Sequence, residues 1–188
     1  TQPLPKGNRV VVITNAGGPG IMAADAVELL HMKMEPLTPE IAESIRTKLP
    51  PAASVANPVD VLGDAEPARY AMALSEVLAD PTADAIVVIL TPQAMSDPTA
   101  TAEEIIKIAK TADKPILACF MGGSDVLGAR KLFVEAGVPD YPAPERAVAA
   151  VKAMVDYAMW RNRPPRVVTR FPVNRHRVER IMARQMRS

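Results

Sequence analysis

Apolar positions fall along this chain in short dense runs separated by stretches of helical spacing. Arg9–Thr14 (RVVVIT) is almost wholly apolar and β-branched, which suits a strand covered on both faces, and the turn Asn15–Gly20 (NAGGPG) follows at once. Ala23, Ala24, Val27 and Leu30 keep helical spacing and predict a helix from Ile21 to about Leu30, followed by a short strand near Met32–Leu37. Thr38-Pro39 supplies an N-cap with proline at the first helical position, ahead of Ile41 and Ile45. Leu49–Asp64, carrying PPAAS and NPVDVLGD, is too rich in Pro and Gly for a regular element and reads as an ordered loop. Pro67–Leu78 is a predicted helix with Met72, Leu74 and Leu78 inside, and Ala85–Leu90 is the most apolar strand. Asp97-Pro98 repeats the cap-then-proline signal and starts a helix running to about Thr111. Pro115–Cys119 is the next strand, and the turn Met121–Gly123 leads to a helix capped by Ser124 and stopped by Gly137. A last short strand near Val138–Tyr141 precedes a helix over Glu145–Trp160. Strand then helix, five times over with short loops, predicts an α/β fold: a doubly wound, five-stranded parallel sheet with helices on both faces.

Composition agrees with this picture and divides the chain in two. With 48% hydrophobic but 4% aromatic residues, the core must be built from Ala, Val, Ile, Leu and ten Met, which favours close helix-on-sheet packing. Residues 161–188 hold nine Arg and one Glu, a balance of +8, leaving 13 Lys+Arg against 20 Asp+Glu, a balance of −7, for residues 1–160. The expected organisation is a domain over 1–160 and an Arg-rich linker and helix over 161–188. Within that tail a linker is expected at Asn162–Pro172 and a helix at about Asn174–Met186. Its apolar stripe of Val178, Ile181, Met182 and Met186 calls for a covering partner. The tail has no aromatic interleaving beyond Phe171, so no nucleic-acid partner is expected. Ala85–Leu90, an apolar run that no other exceeds in length, is far shorter than the ~20 residues that span a bilayer, so no membrane is expected either. The single Cys119 excludes an internal disulfide and any CxxC-type metal site, and a reducing, cytoplasmic setting follows as an expectation. The chain opens Thr-Gln-Pro-Leu-Pro without an initiator Met, as a piece of a longer protein would.

In a sheet of order 2-1-3-4-5, ligands bind outside the carboxyl ends of the strands where the winding reverses. That rule selects NAGGPG and Thr91–Pro98, with Met121–Ser124 beside them. Each opens a helix, so free backbone N–H groups and the positive end of a helix dipole face one cleft, and an anion is the expected guest. Gly17, Gly18 and Gly20 permit positive φ and close approach of a ligand. Their spacing is neither GxGxxG nor GxxxxGK[ST], and no Lys or Ser/Thr stands ready for a nucleotide and magnesium. A tight strand-to-helix turn that needs glycine for packing alone explains them as well. Catalytic residue types are sparse. His31 and His176 fall outside the cleft, Cys119 lies in an apolar strand, and Asp60 and Asp64 serve equally as turn residues or as cleft lining. No catalytic residue and no metal site is assigned. A phospho-accepting receiver domain is excluded, because Thr14-Asn15 and Thr91 occupy the positions of its acids.

Several motifs in fixed order then carry a resemblance. LPKGNR from Leu4, VVVITNAGGPGIMAADA, ASVANPVDVLGDA, IVVILTPQAMSDP and ILACFMGGSD resemble a late flavodoxin-like domain of NDP-forming acyl-CoA synthetases, relatives of succinyl-CoA synthetase, over about residues 2–160. The resemblance implies an acid-thiol ligase interconverting acyl-CoA, ADP and phosphate with acid, CoA and ATP through a phosphohistidine borne by another domain. It implies that CoA, ADP/ATP and Mg belong to the complete enzyme, with none bound by this domain alone. Implied partners are CoA-binding, phosphohistidine-bearing and ATP-grasp domains, with room for a homo-oligomer. The helix opening after Thr91-Pro92-Gln93 resembles one of two whose N-termini hold the phosphohistidine, although Pro92, where relatives place glycine, cannot donate a backbone hydrogen bond. With the switch-point rule, this marks Gly17, Gly18, Gly20, Thr91, Gln93 and Ala94 as the expected phosphate-binding residues. The isolated chain is expected to be inactive. Similar synthetase-like regions act as ligand sensors in protein lysine acetyltransferases, which is the competing expectation.

Overall fold

A computed structural model describes residues 2–164 and 174–186. Four strands form one sheet: β1 (Val10–Thr14), β2 (Val59–Asp60), β3 (Ala85–Leu90) and β4 (Ile116–Phe120), in the order β2-β1-β3-β4 and all parallel. The helices are α1 (Gly17–Leu29), α2 (Pro39–Arg46), α3 (Pro67–Ala79), α4 (Pro98–Ala109), α5 (Leu127–Ala136), α6 (Pro144–Arg161) and α7 (Arg175–Gln185), with a 3-10 turn at Gly123–Val126. Strand residues alternate between two cores, as a pleat requires. Val11, Ile13, Ile86, Val88, Leu90, Ile116, Ala118 and Phe120 pack on buried residues of α2 to α5, among them Ile45, Leu74, Ile105 and Phe133. Val10, Val12, Val87, Ile89, Leu117 and Cys119 pack on α1 and α6, whose Ala23, Ala26, Ala147, Val148 and Val151 are small enough to sit close to the sheet. Few aromatics are needed under that geometry.

The sheet has four strands and not the expected five, and the difference lies at its edges. The segments expected as strands near 32–37 and 138–141 each keep a single bridge, Arg9 to Lys33 and Ala118 to Asp140. Pro36 and Pro139 lack the N–H that a longer ladder needs. Side chains complete both edges instead. Asn57 Oδ1 accepts from Val12 N (3.1 Å), while Nδ2 donates to the carbonyls of Val10 (2.8 Å) and Glu35 (3.1 Å). Its amide stands in for a peptide group beside β1, between Lys33 and Val59. With that gap filled, Val59–Asp60 pairs with Ile13 and Thr14 as β2, inside the stretch expected to be a loop. On the far edge, Phe120 N donates to Asp140 Oδ1 (2.9 Å) and Arg130 Nη2 to the Phe120 carbonyl (2.8 Å).

Helix ends follow the cap signals unevenly. Asp97 accepts from Ala100 N at the head of α4 (2.9 Å), and Gly137 ends α5 in the left-handed conformation at φ 72°. Thr38 precedes α2 as expected, but its hydroxyl and N–H both go to buried Asp80. Ser124 does not cap α5: the chain passes through the 3-10 turn first, and its hydroxyl meets Asp125. The tail helix forms, with Asn174 accepting from Arg177 N (3.1 Å), yet Val178, Ile181, Met182 and Met186 are 45%, 56%, 59% and 84% exposed. The expected cover over that stripe is absent among the described residues. Most of the expected linker, 165–172, lies outside them.

Candidate functional site

All four strands run the same way, so Thr14, Asp60, Leu90 and Phe120 end on one side of the sheet. The winding reverses between β1 and β3. There Asn15, 3% exposed, bridges the two strand ends: Nδ2 donates to the Thr91 carbonyl (2.8 Å), and Oδ1 accepts from Thr91 N (2.9 Å) and Oγ1 (3.2 Å). Thr14 Oγ1 in turn accepts from Ala16 N (3.1 Å) and donates to the Ala16 carbonyl (2.8 Å), which hooks the chain directly into α1. The expected turn over Asn15–Gly20 is therefore shorter, and Gly17, Gly18 and Gly20 lie in the first turn of the helix.

None of these three glycines has positive φ. Gly17 and Gly18 are exposed, and a Cβ on either would meet nothing within 4 Å. Gly20 is buried, and a Cβ there would stand 3.0 Å from Thr14 Cγ2 and 3.6 Å from Pro58. One glycine serves close packing; the other two leave the helix end bare. Ala16 sits at the N-cap with extended backbone and no side chain to cap with, and no acid stands in the first turn. Pro19 has no N–H and Gly20 N is bonded to the Ala16 carbonyl (3.3 Å), so the N–H groups of Gly17 and Gly18 are the open donors.

The loop after β3 is arranged differently. Thr91 N is taken by Asn15, and Gln93 N by Ser96 Oγ (3.0 Å). Helix α4 opens only at Pro98, and the Asp97 carboxylate already occupies its positive end. Ala94 is exposed beside it. Pro92 packs on Gly122, where a Cβ would fall 2.5 Å from Pro92 Cγ. Asp60 and Asp64 are turn residues here. Asp60 Oδ1 accepts from Leu62 N (2.9 Å), and Asp64 pairs with Arg69 Nη1 (2.6 Å), which holds its carboxyl below the usual range. Arg69 had no motif to mark it in the sequence; the contact joins loop to helix and becomes visible only in three dimensions.

Other reactive types are placed out of play. His31 follows α1 at the opposite end of the molecule, roughly 20 Å along the helix from Gly17. His176 lies on α7, 3.7 Å from Glu179. Burial pushes the Cys119 thiol up to about 12, so it stays neutral and inert. Asp140 is also raised, because burial outweighs the donors from Phe120 and Arg130. Among the described residues no group of three or more His, Cys, Asp or Glu could hold a metal ion.

The chain as a whole has known relatives. The Ligase-CoA domain family matches residues 10–164. The alpha subunit of an ADP-forming acetate–CoA ligase II from Pyrococcus furiosus is 42% identical over 163 residues, covering 84% of this chain and 35% of that protein. An ADP-forming 4-hydroxybutyrate–CoA ligase from Nitrosopumilus maritimus is 33% identical over 180 residues, or 96% of this chain and 26% of that protein. Among solved structures, a dinucleotide-forming acetyl-coenzyme A synthetase 1 of Ca. Korarchaeum cryptofilum superposes with TM-score 0.78 at 32% identity over 85% of this chain and 35% of that one. It has been solved both free and in complex with phosphate and ADP. The chain thus spans about a quarter to a third of the length of these relatives.

Proposed function

The chain belongs to the Ligase-CoA domain family, and from that premise we propose that it is the phosphate-receiving domain of an ADP-forming acid-thiol ligase. Such an enzyme interconverts acyl-CoA, ADP and phosphate with acid, CoA and ATP. The observation that carries the reading is the uncapped head of α1. Two exposed glycine N–H groups, no competing acid and the positive end of a 13-residue helix face the switch point of the sheet. A phosphoryl group, free or on a histidine of another domain, finds there the donors and positive potential it needs. The residues proposed to line its site are Gly17 and Gly18 on one side, with Gly20 packed beneath them against Thr14, and Thr91, Gln93 and Ala94 on the other. The two sides have unequal parts. Gly17 and Gly18 donate directly, whereas Thr91 and Gln93 have their N–H groups engaged and shape the wall.

The residues fit phosphate, and the chain's own contribution is electrostatic. Fixed dipoles aimed at an anion need no reorganisation when it arrives. In the proposed complete enzyme, CoA, ADP/ATP and Mg are handled by CoA-binding, phosphohistidine-bearing and ATP-grasp domains in the cytoplasm, and the sheet end described here closes one side of the phosphoryl path. The relatives described above are ligases, so the ligase reading is kept over the acetyltransferase-sensor one. Phosphate titration followed by backbone amide NMR tests it. Gly17 and Gly18 signals are expected to move, with weak affinity, because a helix terminus contributes only about 0.3–1 kcal/mol per exposed contact. Shifts confined to other loops would refute the assignment.

A further inference from the structure

We propose that Arg69 is a positioning residue of this site: through the loop 61–64 it fixes where the Gln93 side chain stands. What the site binds rests on the reading above; how its wall is held rests on geometry alone. Arg69 lies in the first turn of α3, where a cation opposes the helix dipole, so its placement does nothing for that helix. Its Nη1 instead donates to two points of the loop, the Val61 carbonyl (2.9 Å) and the Asp64 carboxylate (2.6 Å). Between them Leu62 sits at φ 71°, a left-handed conformation rare for a bulky side chain. Leu62 is held there from both sides, its N–H bonded to Asp60 Oδ1 (2.9 Å) and its carbonyl to Ala65 N (3.1 Å).

This fixed loop presents the bare backbone of Gly63 to the next wall. A Cβ on Gly63 would lie 3.4 Å from both Cδ and Oε1 of Gln93, an ordinary van der Waals distance, so the Gln93 side chain faces this loop with room for one methyl between them. Val61 N donates to the Thr14 carbonyl (2.8 Å), which ties the same loop to the strand feeding α1. The bonds run from Arg69 to Val61 and Asp64 on either side of Gly63, and Gly63 faces the Gln93 side chain. A role limited to stabilising α3 or its own loop would not reach Gln93.

The test compares amide spectra of the 188-residue chain carrying Arg69→Met, or separately Gly63→Ala, with the unaltered chain. Arg69→Met is expected to displace the signals of Gly63 and Gln93, leave Val87 and Val88 in place, and weaken phosphate binding at Gly18 by roughly threefold or more. Gly63→Ala keeps every Arg69 bond and places a methyl in van der Waals contact with the Gln93 side chain, so it is expected to shift the Gln93 signals while those of Val61 stay in place. Displacement confined to residues 61–72 in Arg69→Met, or an unmoved Gln93 in Gly63→Ala, overturns the inference. If Arg69→Met does not fold, Asp64→Asn, which keeps Arg69 and weakens one of its two bonds to the loop, decides by the same Gln93 signals. If phosphate moves nothing in the unaltered chain, the phosphate reading fails, while displacement of Gln93 still decides the role of Arg69.

Discussion

Asn57 and Asn15 do at single positions what a longer strand would do elsewhere, and neither can be replaced by an apolar residue without orphaning backbone groups. Asn57 satisfies the N–H of Val12 and the carbonyls of Val10 and Glu35; Asn15 satisfies both polar groups of the Thr91 backbone. A buried group left unpaired costs about 1–3 kcal/mol. Asn57→Ala is therefore expected to lose at least that much in urea unfolding, with Asn57→Asp also impaired because a carboxylate cannot donate to the two carbonyls. An Asn57→Ala variant as stable as the original would remove this account of the sheet edge. Asp84 offers a pH-dependent counterpart. Burial alone would raise its pKa, but the bonds from Arg9 N, Nε and Nη2 (3.1, 2.7 and 2.9 Å) outweigh it and hold the carboxyl below the usual range. A lowered carboxylate stabilises the fold above the unfolded value of about 3.9 and loses that contribution as pH falls through its folded value. Asp84→Asn should lower stability at pH 7 and flatten the acid limb of the stability profile; an unchanged acid limb would show that Asp84 plays no part in it.

The elements themselves were largely legible, because β3, β1 and β4 are runs of apolar residues buried on both faces, and α2, α3 and α4 each open on a proline. What escaped was the supporting detail. β2 is two residues long and depends on an amide side chain three positions from its end, so no periodicity in Leu49–Asp64 could announce it. The glycines of NAGGPG were visible as an unusual cluster, but their division into Gly20 for packing and Gly17-Gly18 for an open helix end depends on Thr14 and Pro58, which touch Gly20 only in the fold. The contrast between α1 and α4 also belongs to this scale. Asp97→Ala should cost about 1 kcal/mol, the usual value of an N-cap, measurable as a lower denaturation midpoint. An Asp97→Ala variant with an unchanged midpoint would mean that the α4 cap is energetically idle.

For the molecule as a whole, we propose that the acidic body and the basic tail are separate units. Helix α7 leaves its apolar residues exposed, whereas α6 buries Ala147, Val148, Val151 and Val155 on the sheet. Truncation after Pro164 is expected to leave a cooperative melt with stability within about 0.5 kcal/mol of the longer chain, the usual range for changes on exposed surface. A broad or lost transition would place the tail in the core. The central claim is that one helix end, α1, is kept open for an anion at the expense of its own capping. Ala16→Asp tests it most directly, since the extended backbone of Ala16 already suits an N-cap and Gly18 N is the donor such a cap would take. The measurement is the phosphate-induced shift of the Gly18 amide in the substituted and unaltered chains. The account predicts that Ala16→Asp stabilises the fold by about 1 kcal/mol and abolishes that shift; an undiminished phosphate shift in Ala16→Asp would contradict it.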